Sequence, residues 1–260
     1  MSTSELGDTI VSVEKLSLVF RAALHRSWSW RDSFTRIARD PAGAVFGRQE
    51  QIYVARELSF KVRRRERVGI LGVNGAGKTS LCRCIAGIFS PSHGRVRING
   101  RARAIFDTHV GVHPELTGRE NSELLAELLF PELSPRERVE LVRESLEFSE
   151  LGKFVDMPFK LYSNGMQARL CLSLVSARPS DLLILDEVFD GADVFFRAKA
   201  SERVLRLMRE SGSVIFVSHS EDQIRLACTR VLVLQHGRIA FDGDVEEGLR
   251  FYAAQKPTWN

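Results

Sequence analysis

Gly72-Val73-Asn74-Gly75-Ala76-Gly77-Lys78-Thr79-Ser80 fits the pattern G-x-x-x-x-G-K-[ST] at every fixed position. The apolar run Arg67-Val68-Gly69-Ile70-Leu71 precedes it. Leu81, Ile85 and Ile88 follow at the spacing of one helix face. A strand, a glycine loop and a helix therefore succeed one another, which is the context this pattern needs to bind phosphate. Gly75 and Gly77 leave the backbone free to curl, so that consecutive N–H groups aim at one anion. The new helix adds the positive end of its dipole. Lys78 is expected on the β- and γ-phosphates, and the Thr79 hydroxyl on Mg²⁺. The expected nucleotide-binding set is Gly72, Asn74, Gly75, Ala76, Gly77, Lys78, Thr79 and Ser80. A turn that merely opened a helix would not need Gly-Lys-Thr in register.

Two further strands end in groups that suit this loop. Leu182-Leu183-Ile184-Leu185 is a continuous apolar run followed by Asp186 and Glu187. Such a strand is covered on both faces and delivers its acids to its carboxyl end. Asp186 is the candidate second Mg²⁺ holder. Glu187 is the candidate general base for an attacking water. Val214 to Val217 ends likewise in Ser218 and His219, and His219 is expected at the γ-phosphate, in the crevice of an open α/β sheet. The catalytic candidates are thus Lys78, Glu187 and His219.

Strands alternating with helices predict a P-loop α/β fold with a mostly parallel core sheet. Ile10–Phe20 and Val54–Val62 read as strands of a smaller antiparallel part. Arg95–Ile98 is a short strand ending at Asn99-Gly100, a hairpin signal. Residues 101–178 read as helices only, a helical subdomain inserted into one nucleotide-binding domain spanning 1–260. Thr117 with Glu120 and Ser134 with Glu137 are capping boxes, the second supported by Pro135 at the first helical position. A third helix starts at Ser163. Ser163, Asn164, Gly165 and Met166 form a capped, glycine-opened helix start, which is a second anion site. One nucleotide does not need both helix starts from one molecule, but two molecules arranged head to tail use both.

Composition sets bounds. At 260 residues the chain buries a real core. Residues 1–10 are polar, without the apolar run of a signal peptide, and no stretch approaches the ~20 apolar residues that span a bilayer. Cys82, Cys84, Cys171 and Cys228 form no C-x-x-C pair and read as reduced, mostly buried thiols. A net charge of +4 does not argue for nucleic acid.

With these motifs in place, the chain resembles the ATP-binding subunit of an ABC transporter over about residues 10–252. It resembles in particular the branch that exports surface polysaccharides: O-antigen, capsule and teichoic acid. Gly72–Thr79 then corresponds to Walker A and Leu182–Glu187 to Walker B. Ser163–Met166 stands where most such proteins carry Ser-Gly-Gly-Gln. The resemblance assigns Asp193 to the D-loop, His219 to the switch histidine and Phe20 to the aromatic that stacks on adenine. The narrower likeness rests on His113–Asn121, on Tyr162-Ser-x-Gly-Met166 followed by Arg169-Leu170, and on the insertion after Phe20. It implies ATP with Mg²⁺, a homodimer, an integral membrane permease, and a place at the cytoplasmic face of a bacterial inner or plasma membrane. A subunit for a lipid, drug or peptide is the near alternative. A soluble ATPase acting on nucleic acid or ribosomes is a more distant one. The chain departs at Asp107-Thr108-His109, where the family usually has a glutamine.

Residues 21–50 form a basic, aromatic insertion. Trp30, Phe34 and Ile37 fall on one helical face among six arginines. This insertion is expected beside the membrane and the translocation path, with Trp28 and Trp30 as anchors. A surface helix docked on its own domain is the plainer alternative.

Overall fold

The computed structural model describes residues 8–23, 49–106, 111–186 and 194–255. Most of the insertion (24–48), Asp107 to Val110, and Glu187 to Asp193 lie outside the described residues, so the expectations for Trp28, Trp30, Glu187 and Asp193 do too.

Two sheets organise the chain. The smaller is antiparallel, in the order β2–β1–β4, from Thr9–Ala23 (β1), Gln49–Arg63 (β2) and His93–Ile98 (β4). The larger has the order β5–β6–β7–β3–β8–β9. It comprises Arg67–Leu71 (β3), Ala102–Ile105 (β5), Leu182–Asp186 (β6), Ser213–Val217 (β7), Arg230–Gln235 (β8) and Arg238–Gly243 (β9). Neighbours are parallel except β8 and β9.

The pleat explains why these strands are apolar throughout. Alternate side chains point to opposite faces. Leu183, Leu185, Val214, Phe216, Val231 and Val233 enter a core on one face. Helices Val194–Glu210 (α5), Glu221–Ala227 (α6) and Val245–Gln255 (α7) cover that face. Leu182, Ile184, Ile215, Val217, Leu232 and Leu234 enter a second core on the other. There the helix Lys78–Ile85 (α1) and the inner side of the small sheet close over them. Each such side chain contributes about 1.5–3 kcal/mol on burial.

The helical layer holds a third core, built on Gly118–Leu129 (α2), Pro135–Ser149 (α3), short 3₁₀ turns at Gly152–Asp156 and Phe159–Leu161, and Asn164–Val175 (α4). Both capping boxes form as expected: Thr117 and Ser134 accept from the Glu120 and Glu137 amides, whose side chains return to the cap amides. Arg103 joins this layer to the core sheet. It is 8% exposed, with its guanidinium 4.0 Å over the Phe130 ring. It donates to the Arg178, Pro179 and Leu129 carbonyls.

Two expectations are corrected. Residues 101–178 are not helices only, because Ala102–Ile105 is β5, paired parallel with β6 at the core sheet's edge. Asn99-Gly100 is not a hairpin turn, since β4 pairs with β1 and β5 with β6. The turn carries the chain from one sheet to the other. Gly100 sits at φ +141°, where an added Cβ would meet the Asp181 side chain at 2.9 Å. The Asp181 carboxylate accepts from the Arg101 amide at 2.8 Å, which steers the chain toward β6.

Candidate nucleotide site

The register of three adjacent strands assembles the site. Asp186 pairs with Val217 across β6 and β7, and Val217 with Ile70 across β7 and β3. The carboxyl ends of these parallel strands are therefore level. Asp186 ends one, Ser218 and His219 follow the next, and Gly72 opens the phosphate loop after the third. Ligands of open α/β sheets bind at that edge.

Backbone approach fixes the loop's glycines. A Cβ on Gly72, at φ +155°, would meet the Leu234 carbonyl oxygen at 2.6 Å. Gly77, at φ +96°, caps α1 in the left-handed region, and its Cβ would meet the Val54 carbonyl oxygen at 2.6 Å. Side chains are excluded there by contact as well as by conformation. Gly75 has open space on its Cβ side. The loop is thus a cradle whose amides are reachable, as a polyphosphate requires.

Lys78 is buried, and its Nζ donates to the Gly72 carbonyl at 2.9 Å and the Val73 carbonyl at 3.4 Å. The ammonium curls over the loop it belongs to. Asp186 is 3% exposed. Cys82, one turn into α1, reports on both groups. Burial pushes its thiol well up, the Asp186 charge adds to that, and the Lys78 charge opposes it. The buried thiol therefore feels a carboxylate and a cation at once. Thr79 and Asp186 supply a hydroxyl and a carboxylate, the hard oxygen donors that Mg²⁺ takes alongside phosphates and water. No cluster of three or more His, Cys, Asp or Glu side chains able to hold a metal occurs among the described residues. The glycine cradle and these two oxygens fit MgATP, for which a dedicated protein cage is unnecessary.

His219 is exposed and lies between two anchored serines. The Ser218 hydroxyl donates to Gln223 Oε1 at 2.7 Å and accepts from the Ser220 amide at 3.1 Å. Ser220 caps α6, accepting from the Gln223 amide at 3.4 Å. Sequence reasoning missed Gln223, although Ser220-x-x-Gln223 has the capping-box spacing. It also missed Val54, whose carbonyl seats Gly77 and which no local pattern marks. Phe20 lies on β1 opposite Ile52, two residues from Val54. Its ring is 42% exposed and stands edge-on to Phe89, 5.8 Å between centroids.

The helix start at Ser163 lies elsewhere. Ser163 caps α4 and accepts from the Met166 amide at 3.3 Å. Asn164 is exposed, and Gly165 has only the Ser163 hydroxyl near its Cβ position, at 4.0 Å. Met166 packs against the third core, in the helical layer. Among the described residues no hydrogen bond of Ser163, Asn164, Gly165 or Met166 reaches the phosphate loop, Asp186 or His219. Behind this start, Tyr162 is buried and its hydroxyl donates to the Phe154 carbonyl at 2.7 Å.

Comparison with known proteins agrees with this geometry. Residues 55–190 match the family described as ABC transporter. The O-antigen export system ATP-binding protein RfbB of Klebsiella pneumoniae is 37% identical over 75% of this chain and 79% of its own length. The teichoic acids export ATP-binding protein TagH of Lactococcus lactis is 34% identical over 83% of this chain but only 46% of its own length. Among solved structures, a dimeric ATP-binding cassette in a post-hydrolysis state with ADP and Pi superposes with TM-score 0.68 at 19% identity, over 91% of this chain and 99% of that one. An ATP-binding subunit of an ABC transporter superposes with TM-score 0.66 at 23% identity, over 95% of each chain. These two likenesses concern the fold.

Proposed function

We propose, for a chain that belongs to the ABC transporter family, that it is the ATP-hydrolysing subunit of an exporter of lipid-linked surface polysaccharide, working with a separate membrane permease. The observation that carries the hydrolytic part is the level register of β6, β7 and β3, which gathers Asp186, His219 and the phosphate loop at one edge. The export part is supported by the likeness to the O-antigen and teichoic acid proteins.

In this reading the loop amides from Gly72 to Ser80 cradle the phosphates, and Lys78 exchanges its loop carbonyls for phosphate oxygens. Phe20 stacks on adenine. Thr79 and Asp186 hold Mg²⁺. Such an ion would supply positive charge to offset that of the phosphates. Glu187 orients a water and takes its proton, while His219 contacts the γ-phosphate. Ser163 to Met166 of a second copy, arranged head to tail, close the site from the other side, with Asp193 at the seam. The separation of the two helix starts within one chain supports that arrangement. ATP then binds both halves and hydrolysis releases them. The helical layer moves against the core and works the permease. No helix among the described residues is long and apolar enough to cross a membrane. The permease holds the subunit at the cytoplasmic face of the bacterial membrane, and nucleic acid is not a partner.

Affinity purification of the tagged protein from detergent-solubilised membranes tests this. Co-elution of an integral membrane permease is expected, with ATPase activity raised in the complex and responsive to a lipid-linked glycan. Recovery with ribosomes or nucleic acid, or a permease complex indifferent to glycan, would overturn the export reading.

A further inference from the structure

Away from the phosphate loop, three guanidinium groups converge on a cavity of about 170 Å³ where the helical layer meets the core. Glu144 of α3, Ser176 and Arg178 just past α4, and Arg203, Arg206 and Glu210 of α5 line it. Arg203 and Arg206 are neighbours on α5, whereas Arg178 comes from the segment after α4, so the cluster draws on both bodies.

Their partners are unequal. Arg178 pairs with Glu144 at 3.1 Å, so that carboxylate is already engaged. Arg203 donates from Nε to the Ser176 carbonyl at 3.2 Å, and its guanidinium lies 4.0 Å over the Phe148 ring. Arg206 is exposed and makes no ion pair or hydrogen bond among the described residues. Glu210, one turn beyond it, is exposed and forms no ion pair with it. Burial pushes Arg203 down to about 10; the Arg206 charge adds to that, Glu144 opposes it, and Arg178 adds again. The lining thus sets three cations against two carboxylates, one of which is already paired, and one of the cations is partly stripped of water.

We propose that this cavity binds one small oxyanion of the phosphate class, held by Arg178, Arg203 and Arg206, and that the bound anion ties the helical layer to the core. Guanidinium forks match tetrahedral oxyanions in geometry as well as charge. The space equals about five or six water volumes, enough for one such ion and too little for a nucleotide. An anion there relieves the repulsion among the arginines and bridges the segment after α4 to α5. The site is independent of the transport reading, since neither the permease nor the phosphate loop enters it.

The test is calorimetric titration of inorganic phosphate, with sulfate in parallel, into the full chain saturated with MgADP. MgADP fills the diphosphate part of the phosphate loop but leaves the γ position open, so the Arg206 variants decide which site takes the probe. Wild-type protein is expected to bind phosphate and to melt at a higher temperature in its presence. Arg206→Ala is expected to weaken phosphate binding at least tenfold without altering MgADP affinity, and Arg206→Lys to restore part of it. Arg206 is exposed and unbonded, so the fold does not depend on it. Absence of binding by the MgADP-saturated wild type would overturn the proposal. So would equal binding by wild type and Arg206→Ala, which would return the phosphate to the nucleotide site.

Discussion

Lys78 spends its charge on two carbonyls of its own loop. The ammonium is therefore preorganised within reach of the cradle, where phosphate oxygens can take the place of these carbonyls. Hydrogen bonds to charged groups contribute about 1.5–3 kcal/mol. Lys78→Ala is thus expected to weaken ATP binding by roughly one to two orders of magnitude, read by fluorescent-nucleotide titration, with an unchanged circular dichroism spectrum. Glu187→Gln is expected to leave that titration unchanged and to lower hydrolysis by about 10²–10⁴-fold, the usual worth of a general base. With MgATP that variant is expected to elute as a dimer in size exclusion. Wild-type hydrolysis by Glu187→Gln would remove Glu187 from the proton transfer. The loop residues are legible in sequence because glycine positions dictate the backbone, and the backbone is the binding group. That Cys82 feels the charges of Lys78 and Asp186 is not legible, because a thiol influenced by two charges leaves no local pattern.

At the level of elements, α2 and α4 are coupled through one side chain. Gly118 opens α2, and a Cβ there would fall on the Tyr162 hydroxyl. Tyr162 directly precedes Ser163, which caps α4. Gly118→Ala is therefore expected to displace Tyr162, and with it the start of α4. Overpacking of this kind costs about 1–3 kcal/mol, and a chain of this size loses roughly 2–4 °C of melting temperature per kcal/mol. Tyr162→Phe removes the obstructing oxygen. The double variant is expected to melt above the sum of the two single losses. Simple additivity would mean that Gly118 is needed for another reason. The capping boxes at Thr117 and Ser134 were readable because a cap is a contact over three residues. Strand β5 was not readable: its partner β6 comes some eighty residues later by the register of Ala102 with Leu182, beyond the reach of any local periodicity. The Asn99-Gly100 pair gave a correct turn but a wrong destination, because turn chemistry fixes a reversal and not a sheet. The Arg178, Arg203 and Arg206 cavity is likewise a product of tertiary convergence.

Across the whole molecule, burial links stability to alkaline pH. It pushes the Cys228 thiol from an ordinary 9.0 up to about 12, with the nearby Arg67 charge opposing. Between those values the unfolded chain has released this proton and the native chain holds it, so native stability falls as pH rises through the window. The contribution is complete below pH 9. Denaturant melts at pH 8 and pH 11 are expected to show a smaller alkaline loss for Cys228→Ala than for wild type; identical losses would mean that the thiol titrates alike in the folded and unfolded chains and that burial does not raise it. The central position of β3 has another consequence, one of timing. Its two neighbours, β7 and β8, are supplied by the last fifty residues of the chain. During synthesis the small sheet and the helical layer emerge and can order early, while Val68 and Ile70 wait without the strands that flank them. Long-range pairing of this kind is slow and leaves apolar strand edges open in the interval. The nucleotide cradle, although translated early, is thus among the last parts of the site to acquire its shape, and a nascent chain stays incompetent for ATP until β7 and β8 arrive.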